Sequence, residues 1–311
     1  MIKKKKYLVT GGAGFIGSHL ATKLIAGDNN VVIVDDLSSG YKENIPTSNK
    51  IELIINKIQN VTHEEIGKVD GIFHLAAQVS VPISMEKFYH SSKNNLLSML
   101  KVFDLAKFLD VPLVYASSSA VYGNLPLGDE SKTKFDIISP YAQDKLTMEY
   151  YAAMMFDVYN VKSLGLRFYN VYGPKQDPLN PYSGVISIFI NRMLRGDRVT
   201  INGGHQTRDF IYVQDIVDVM NQSMQLLDKK ALCDYFNVGT GKSVSVKQLF
   251  NNLKDILNVD PKIIIKELPF GDPERSEGTF NKINKILDIN IEKFTDLKTG
   301  LAETVKFFYR L

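Results

Sequence analysis

Short apolar runs alternate with polar, helix-patterned stretches through the first half of the chain: YLVTG, VVIVDD, IELII, GIFHLAA, PLVYASS and SLGLRFYN. The rhythm predicts an α/β fold with a doubly wound parallel sheet, right-handed crossovers and ligands at the strand C-terminal ends. Lys6 to Thr10 is the expected first strand. After Gly173 and Pro174 the pattern loosens; QDPLNPYSG reads as a loop and VISIFINRMLRG as a helix, so a second, smaller lobe is expected to begin there. RDFIYVQDIVDVM and YFNVGTG are both expected to return to the main sheet. The expected division is residues 1–173, with returning segments around 207–239, and 174–311 as the main part of the second lobe. No internal repeat or low-complexity tract interrupts the chain.

Composition adds limits rather than detail. With 311 residues, 44% hydrophobic and 23% charged, the chain can bury a large core and form more than one lobe. A formal charge of +3 is too small to imply a nucleic-acid partner. The Lys3 to Lys6 run reads as a solvated lead-in to the first strand, and the apolar stretch after it is too soon broken by glycines for a signal peptide or membrane span. Cytoplasm is the expected compartment. Cys233 stands alone, without a disulfide partner or ligand pattern, and is expected as a buried thiol. His19, His63, His74, His90 and His205 are scattered, each expected to be structural or solvent-facing, and no metal site is expected.

Candidate chemistry lies in two places. In TGGAGFIG, residues 10 to 17, Gly11, Gly14 and Gly17 fall three apart, which lets the backbone bend and a pyrophosphate approach the start of the next helix. Gly12, Gly14 and Gly17 satisfy the GxGxxG spacing equally, so spacing leaves both forms of the loop open. A glycine-rich packing turn is the ordinary alternative. Against it, VVIVDD ends in Asp35, about where a carboxylate would meet the adenosine ribose and repel a 2'-phosphate, favouring NAD over NADP. The second place is SPYAQDKL, where Tyr141 and Lys145 stand one helical turn apart, downstream of Ser117, Ser118 and Ser119. A phenol with a pKa of about 10 needs nearby positive charge to take a proton at neutral pH, and Lys145 and an oxidised nicotinamide would supply it. The ordinary alternative is a surface pair at helical spacing; Ser139, Pro140 and the serine run weigh against it.

TGGAGFIGSHL, VIVDDLSSG, FHLAAQVSV, ASSSAVYG, SPYAQDK, LRFYNVYGP and TRDFIYVQDI together resemble the extended short-chain dehydrogenase/reductase family, and within it the UDP-glucose and UDP-N-acetylglucosamine 4-epimerase type. The resemblance spans nearly the whole chain and is most specific up to about Asp215. It implies a Rossmann domain that holds NAD tightly, a smaller C-terminal α/β lobe that grips a nucleotide-sugar, and a homodimer formed through two helices of each subunit. The cofactor residues it implies are Gly11, Gly14, Phe15, Ile16 and Gly17 in the loop, then Asp35, Asp36, Ser38 and Gly40. Leu75, Ala76, Ala77 and Asn95 follow, with Tyr141, Lys145 and Tyr169, the last beside the nicotinamide. Counting back from Val121, Tyr122 and Gly123 aligns Ser118 with the family's catalytic hydroxyl residue. The implied cycle has Tyr141 remove the 4-hydroxyl proton as hydride leaves C4 for NAD, giving a 4-keto sugar that turns and is reduced on its other face. Implied substrate contacts are Ser118, Ser119, Asn170, Gly184, Val185, Asn202, Arg208, Arg275 and Ser276. For Arg208 an ion pair with Asp209 or Asp215 is the ordinary alternative, and the small Ser276 leaves room for an N-acetyl group.

Family dehydratases carry an acid pair directly after the catalytic hydroxyl residue, and decarboxylases usually a glutamate; here Ser119 and Ala120 stand there, which disfavours both. Pro269, Phe270, Gly271 and Asp272 lack the arginine of the family's RxGD segment, with Arg275 as a possible replacement. Lys57 replaces an acidic residue expected near the adenine, and Lys242 and Ser243 stand where a second phosphate-binding arginine sometimes lies. A nucleotide other than UDP therefore stays open. So does another nucleotide-sugar enzyme on the same residues, such as a C4 dehydrogenase or an epimerase of GDP-, CDP- or dTDP-sugars. A non-catalytic NAD-binding regulator usually lacks the Tyr and Lys, and both are present. Leu96, Leu97, Leu100 and Phe103, with Met148, Tyr151 and Met155, suit either a two-helix interface or ordinary core.

Overall fold

The computed structural model describes residues 4–132, 135–180, 183–268 and 273–309. β1 (Lys6–Thr10), α1 (Phe15–Ala26), β2 (Asn30–Asp35) and β3 (Ile51–Ile55) open the chain. Next come α2 (His63–Ile66), β4 (Gly71–His74), α3 (Val81–Glu86), α4 (Phe88–Leu109), β5 (Leu113–Ser118), α5 (Pro140–Tyr159) and β6 (Ser163–Phe168). β7 (Asn170–Tyr172), α6 (Val185–Leu194), β8 (Val199–Asn202), β9 (Thr207–Tyr212), α7 (Val213–Leu227) and β10 (Cys233–Val238) follow. The chain closes with β11 (Ser243–Ser245), α8 (Val246–Leu257), β12 (Ile263–Lys266), α9 (Asn281–Leu287) and α10 (Leu297–Phe308).

Seven strands form one sheet in the order β10-β6-β5-β4-β1-β2-β3. β1 pairs parallel with β2 and β4, β2 with β3, and β4 with β5. The winding reverses between β1 and β4, and the crevice beyond their C-terminal ends is where open α/β sheets bind ligands. Each of the six apolar runs became a strand, and β4 and β6 are buried at every position, as continuous apolar character requires. On this sheet Leu8, Val32, Ile72 and Leu113 share a core with Val102 and Phe103 of α4 and Met148 and Met155 of α5.

The chain divides into two compact units. The first comprises residues up to Ser118, Ser139–Arg167 and Val217–Phe236; the second comprises Ser119–Ile138, Phe168–Ile216 and Asn237–Leu311. The break therefore falls inside β6 rather than at 173, and 119–138 goes with the second unit. YFNV returns to the main sheet as β10, but RDFIY does not: β9 joins a three-stranded sheet, β11-β9-β7. There Asp209 pairs with Ser243, and Phe210 with Asn170. An apolar run marks a buried strand but not the sheet that buries it.

Several expected surfaces resolve differently from one another. Phe103, Met148 and Met155 are core, and Leu96 packs partly against it. Leu97, Leu100 and Tyr151 instead stay exposed, at 41%, 40% and 37%. Cys233 is half-buried rather than fully buried, with its Sγ 3.4 Å from Ser163 Oγ. Lys5 and Lys6 of the basic lead-in pair with Asp228 and Glu52, while Lys3 lies outside the described residues. No helix among the described residues is long and apolar enough to cross a membrane.

Candidate active site

The glycine loop is shaped by close backbone approach. A Cβ on Gly17 would lie 2.1 Å from Gly11 O and 2.8 Å from Gly12 Cα, and one on Gly11, whose φ is +71°, would lie 2.7 Å from Ala76 N. Gly12 fits against Ile33, where a Cβ would come within 2.6 Å of a side-chain carbon. All three glycines are thus needed for packing whichever spacing is counted. Gly14 begins α1 with no side chain capping it, so Phe15, Ile16 and Gly17 present first-turn amides at the positive end of the helix dipole. This is a phosphate cradle of the kind a dinucleotide uses.

Thr10, at the end of β1, ties the loop to β4. Its Oγ1 accepts from the amides of Leu75 and Ala76, both at 3.2 Å, and lies 2.7 Å from His74 Nδ1. With its lone pairs engaged, the hydroxyl donates to Nδ1, which fixes the His74 hydrogen on Nε2. His74 is 2% exposed, and burial, aided by the Lys145 charge, lowers its pKa to about 3. Asp35 accepts from Ala13 N and Leu37 N, both at 2.9 Å, and burial raises its pKa. Gly14 N lies within reach of the same carboxylate, and its remaining lone pairs suit a ribose diol. Asp36 binds Ser38 through its backbone amide and hydroxyl, and Gly40 sits where a Cβ would strike Ala13 at 2.8 Å.

The catalytic candidates meet within the first unit. Ser139 caps α5, accepting from Ala142 N, and Pro140 starts it, so Tyr141 and Lys145 are set on the first two turns. The Ser118 side chain hydrogen-bonds the Tyr141 phenol. Lys145 Nζ donates to Ala116 O at 2.7 Å and stands 5.8 Å from the Tyr141 ring centroid. Burial lowers the lysine pKa to about 8, against the pull of Asp144 and Glu149. Burial raises the phenol's pKa, with the Ser118 hydrogen bond lowering it and Asp144 raising it. Stabilising the phenolate against that burial takes positive charge close by, and the Lys145 ammonium is placed to give it.

In the second unit a cavity of about 260 Å³ is lined by Asn170, Gly184, Val185, Asn202 and Arg208, among others. Asn170 donates to Asp209 O at 3.0 Å, and Arg208 to Thr207 O at 2.8 Å. The Asp209 carboxylate accepts from Thr240 and Gly241, and Asp215 from Thr295.

The model of the family described as "NAD dependent epimerase/dehydratase family" matches residues 7–239. The chain belongs to that family. It is 35% identical over 309 residues to a putative UDP-glucose 4-epimerase of Methanocaldococcus jannaschii, covering 96% of this chain and 97% of that protein. It is similar to the UDP-N-acetylglucosamine 4-epimerase of Methanobrevibacter ruminantium, solved with UDP-N-acetylmuramic acid, at 36% identity and TM-score 0.91 over 99% of both chains. A UDP-N-acetyl-alpha-D-glucosaminuronate decarboxylase of Bacillus cytotoxicus is 30% identical over 97% of its length and 98% of this chain. As a member of this family the chain is an enzyme with NAD as cofactor, and the glycine cradle and Asp35 fit that group.

Set against the resemblance drawn from sequence, the family member's residues divide. The glycine loop, Asp35, Leu75 and Ala76 gather at the ends of β1, β2 and β4, and Ser118, Tyr141 and Lys145 come together as expected. Asn95, 4% exposed, spends its amide on Gln78 and Asp144, so it braces the site from within. Tyr169 is held inside the second unit, its hydroxyl donating to Glu277 O and its ring edge-on to Phe280. Arg275 is exposed and outside the cavity; Ser276 pairs with Thr207 through its amide and is also outside it. The altered RxGD segment, Pro269 to Asp272, lies outside the described residues. Sequence reasoning missed Gln176 and Phe210 among the lining residues. Phe210 stands two residues after Arg208 on β9, so strand periodicity could have found it.

Proposed function

We propose that this protein is an NAD-dependent nucleotide-sugar 4-epimerase, an isomerase acting on UDP-glucose or UDP-N-acetylglucosamine and their C4 epimers. The observation that carries this reading is the chemistry at the end of β5. Ser118 hydrogen-bonds the Tyr141 phenol, and the next residues, Ser119 and Ala120, have no acid or base to offer. Elimination across C5 and C6 needs a further proton acceptor and donor there; inversion at C4 needs only one group that takes and returns a proton. The decarboxylase relative is outweighed on the same ground, since Ala120 replaces the usual glutamate.

NAD supplies the two-electron store of the reaction and, when oxidised, a positive charge. Tyr141 takes the proton of the sugar 4-hydroxyl and gives it back to the same oxygen. Ser118 orients that oxygen and the phenol together. Lys145, held by Ala116 O, provides the ammonium that favours the phenolate, and the dry surroundings strengthen that attraction. In the second unit, Arg208 and Asn202 would hold the pyrophosphate and uridine, with Asn170, Gly184 and Val185 beside them. Leu97 and Leu100 of α4, with Tyr151 and Met154 of α5, form the exposed apolar surface that a homodimer would cover.

The test is direct. Purified protein is incubated with UDP-glucose, UDP-N-acetylglucosamine, and GDP- and dTDP-sugars, and C4 inversion is followed by NMR. UDP-galactose or UDP-N-acetylgalactosamine is the expected product. Carbon dioxide from a UDP-uronic acid, or a 6-deoxy-4-keto product, without any inversion would reject the assignment.

A further inference from the structure

Behind the catalytic pair, the first unit buries a second charged group that the reaction as described does not use. Glu149 lies on α5 one turn beyond Lys145, and its Oε1 accepts from Ser117 Oγ at 2.5 Å and Arg167 Nε at 2.9 Å. Oε2 accepts from the Arg167 guanidinium at 2.6 Å, and the two side chains are 2% and 0% exposed. The guanidinium carbon sits 3.9 Å from the centroid of the Tyr235 ring on β10.

We propose that Glu149 and Arg167 are positioning residues for the epimerisation: anchored on β6, they hold the end of β5 in register with α5, so that Lys145 and Ser118 reach Tyr141 correctly. Three consecutive strand residues meet three helix residues spaced by four. Ala116 O takes Lys145 Nζ, Ser117 Oγ binds Glu149, and Ser118 binds Tyr141. Helix positions four apart lie on one face, so all three contacts fall on the side of α5 that meets the end of β5. The Glu149 contact, last of the three along the helix, is tied onward through Arg167 to β6. An apolar pair of similar volume is often as stable as a buried ion pair, which favours a geometric reason for keeping the charges.

The charges also bear on Lys145. Glu149 and Asp144, both on α5, oppose the burial that lowers the lysine pKa; His74 on β4 is neutral, and the Tyr141 phenol lies alongside. Removing the Glu149 charge lets the ammonium lose its proton at lower pH.

The proposal rests on the 4-epimerase reading, and two variants test it with NAD-loaded protein. Glu149→Gln keeps the side-chain shape; the alkaline limb of its kcat profile should move down by about half a pH unit or more, with KM little changed. Ser117→Ala cuts the strand from Glu149 but leaves the ion pair; kcat should fall about tenfold, within the range that a 1 Å misplacement costs. A folded Glu149→Gln enzyme with the parental limb, or Ser117→Ala with parental kcat, overturns the proposal. If Glu149→Gln does not fold, Ser117→Ala decides. A parent that inverts no nucleotide-sugar refutes the functional reading by itself. The ionisation of Tyr141, read as tyrosinate absorbance against Tyr141→Phe, then decides: a midpoint moved by Ser117→Ala supports the proposal, and an unmoved one overturns it.

Discussion

Replacing His74 with asparagine should remove much of the protein's acid sensitivity. The imidazole is buried at the end of β4, accepts from Thr10 Oγ1 through Nδ1, and titrates only near pH 3. An unfolded histidine titrates near 6.5. Between those values the unfolded chain binds a proton that the folded chain refuses, so the contribution to stability is whole above about pH 6.5 and drains away as pH falls toward about 3. At pH about 4.5 the two-unit gap from the unfolded value is worth about 3 kcal/mol. Protonation would also turn Nδ1 into a donor facing a hydroxyl that already accepts from Leu75 and Ala76, loosening the wall of the glycine loop. Asparagine keeps an acceptor for Thr10 but does not titrate. Urea unfolding of parent and His74→Asn in saturating NAD, at neutral pH and at about 4.5, compares the two losses directly. The variant should lose about 3 kcal/mol less than the parent on acidification, whatever its stability at neutral pH. Equal losses would refute the reasoning, because every carboxylate common to both proteins cancels in the comparison.

Gly17→Ala places a Cβ 2.1 Å from Gly11 O, so the protein should purify without NAD, seen as a lower ratio of absorbance at 260 to 280 nm. Arg208→Met removes a guanidinium from the cavity of the second unit and should raise KM for UDP-sugars about tenfold to a hundredfold with a smaller change in kcat, measured by steady-state kinetics. Leu100→Glu puts a charge on the exposed face of α4 and should convert the proposed dimer to monomers with NAD retained; light scattering that finds parent and variant of equal mass would refute that interface.

The fold was legible where burial is two-sided. β1, β4 and β6 read as continuous apolar runs because the sheet covers both faces, and the loop after β1 announced itself because its backbone crowding admits only glycine. β9 was assigned to the wrong sheet, since Phe210 and Ile211 are equally buried by the smaller one. Tyr141 and Lys145 were legible as a pair from helical spacing. How deeply the phenol is buried was not, because burial depends on what packs around it. Glu149 repeats the same four-residue spacing after Lys145, yet nothing nearby in sequence names Arg167, eighteen residues on, as its partner. Asn95, expected as a cofactor contact, also braces the site from within through Gln78 and Asp144, partners that its sequence neighbourhood does not name.

The central claim is that the Tyr141 phenol carries the proton in C4 inversion. It is tested most directly by the rate of UDP-glucose to UDP-galactose conversion in Tyr141→Phe and parent protein of equal NAD content. A loss of about 10²-fold to 10⁴-fold is predicted, the usual worth of a positioned proton carrier. Conversion at the parental rate by the phenylalanine protein would contradict the account.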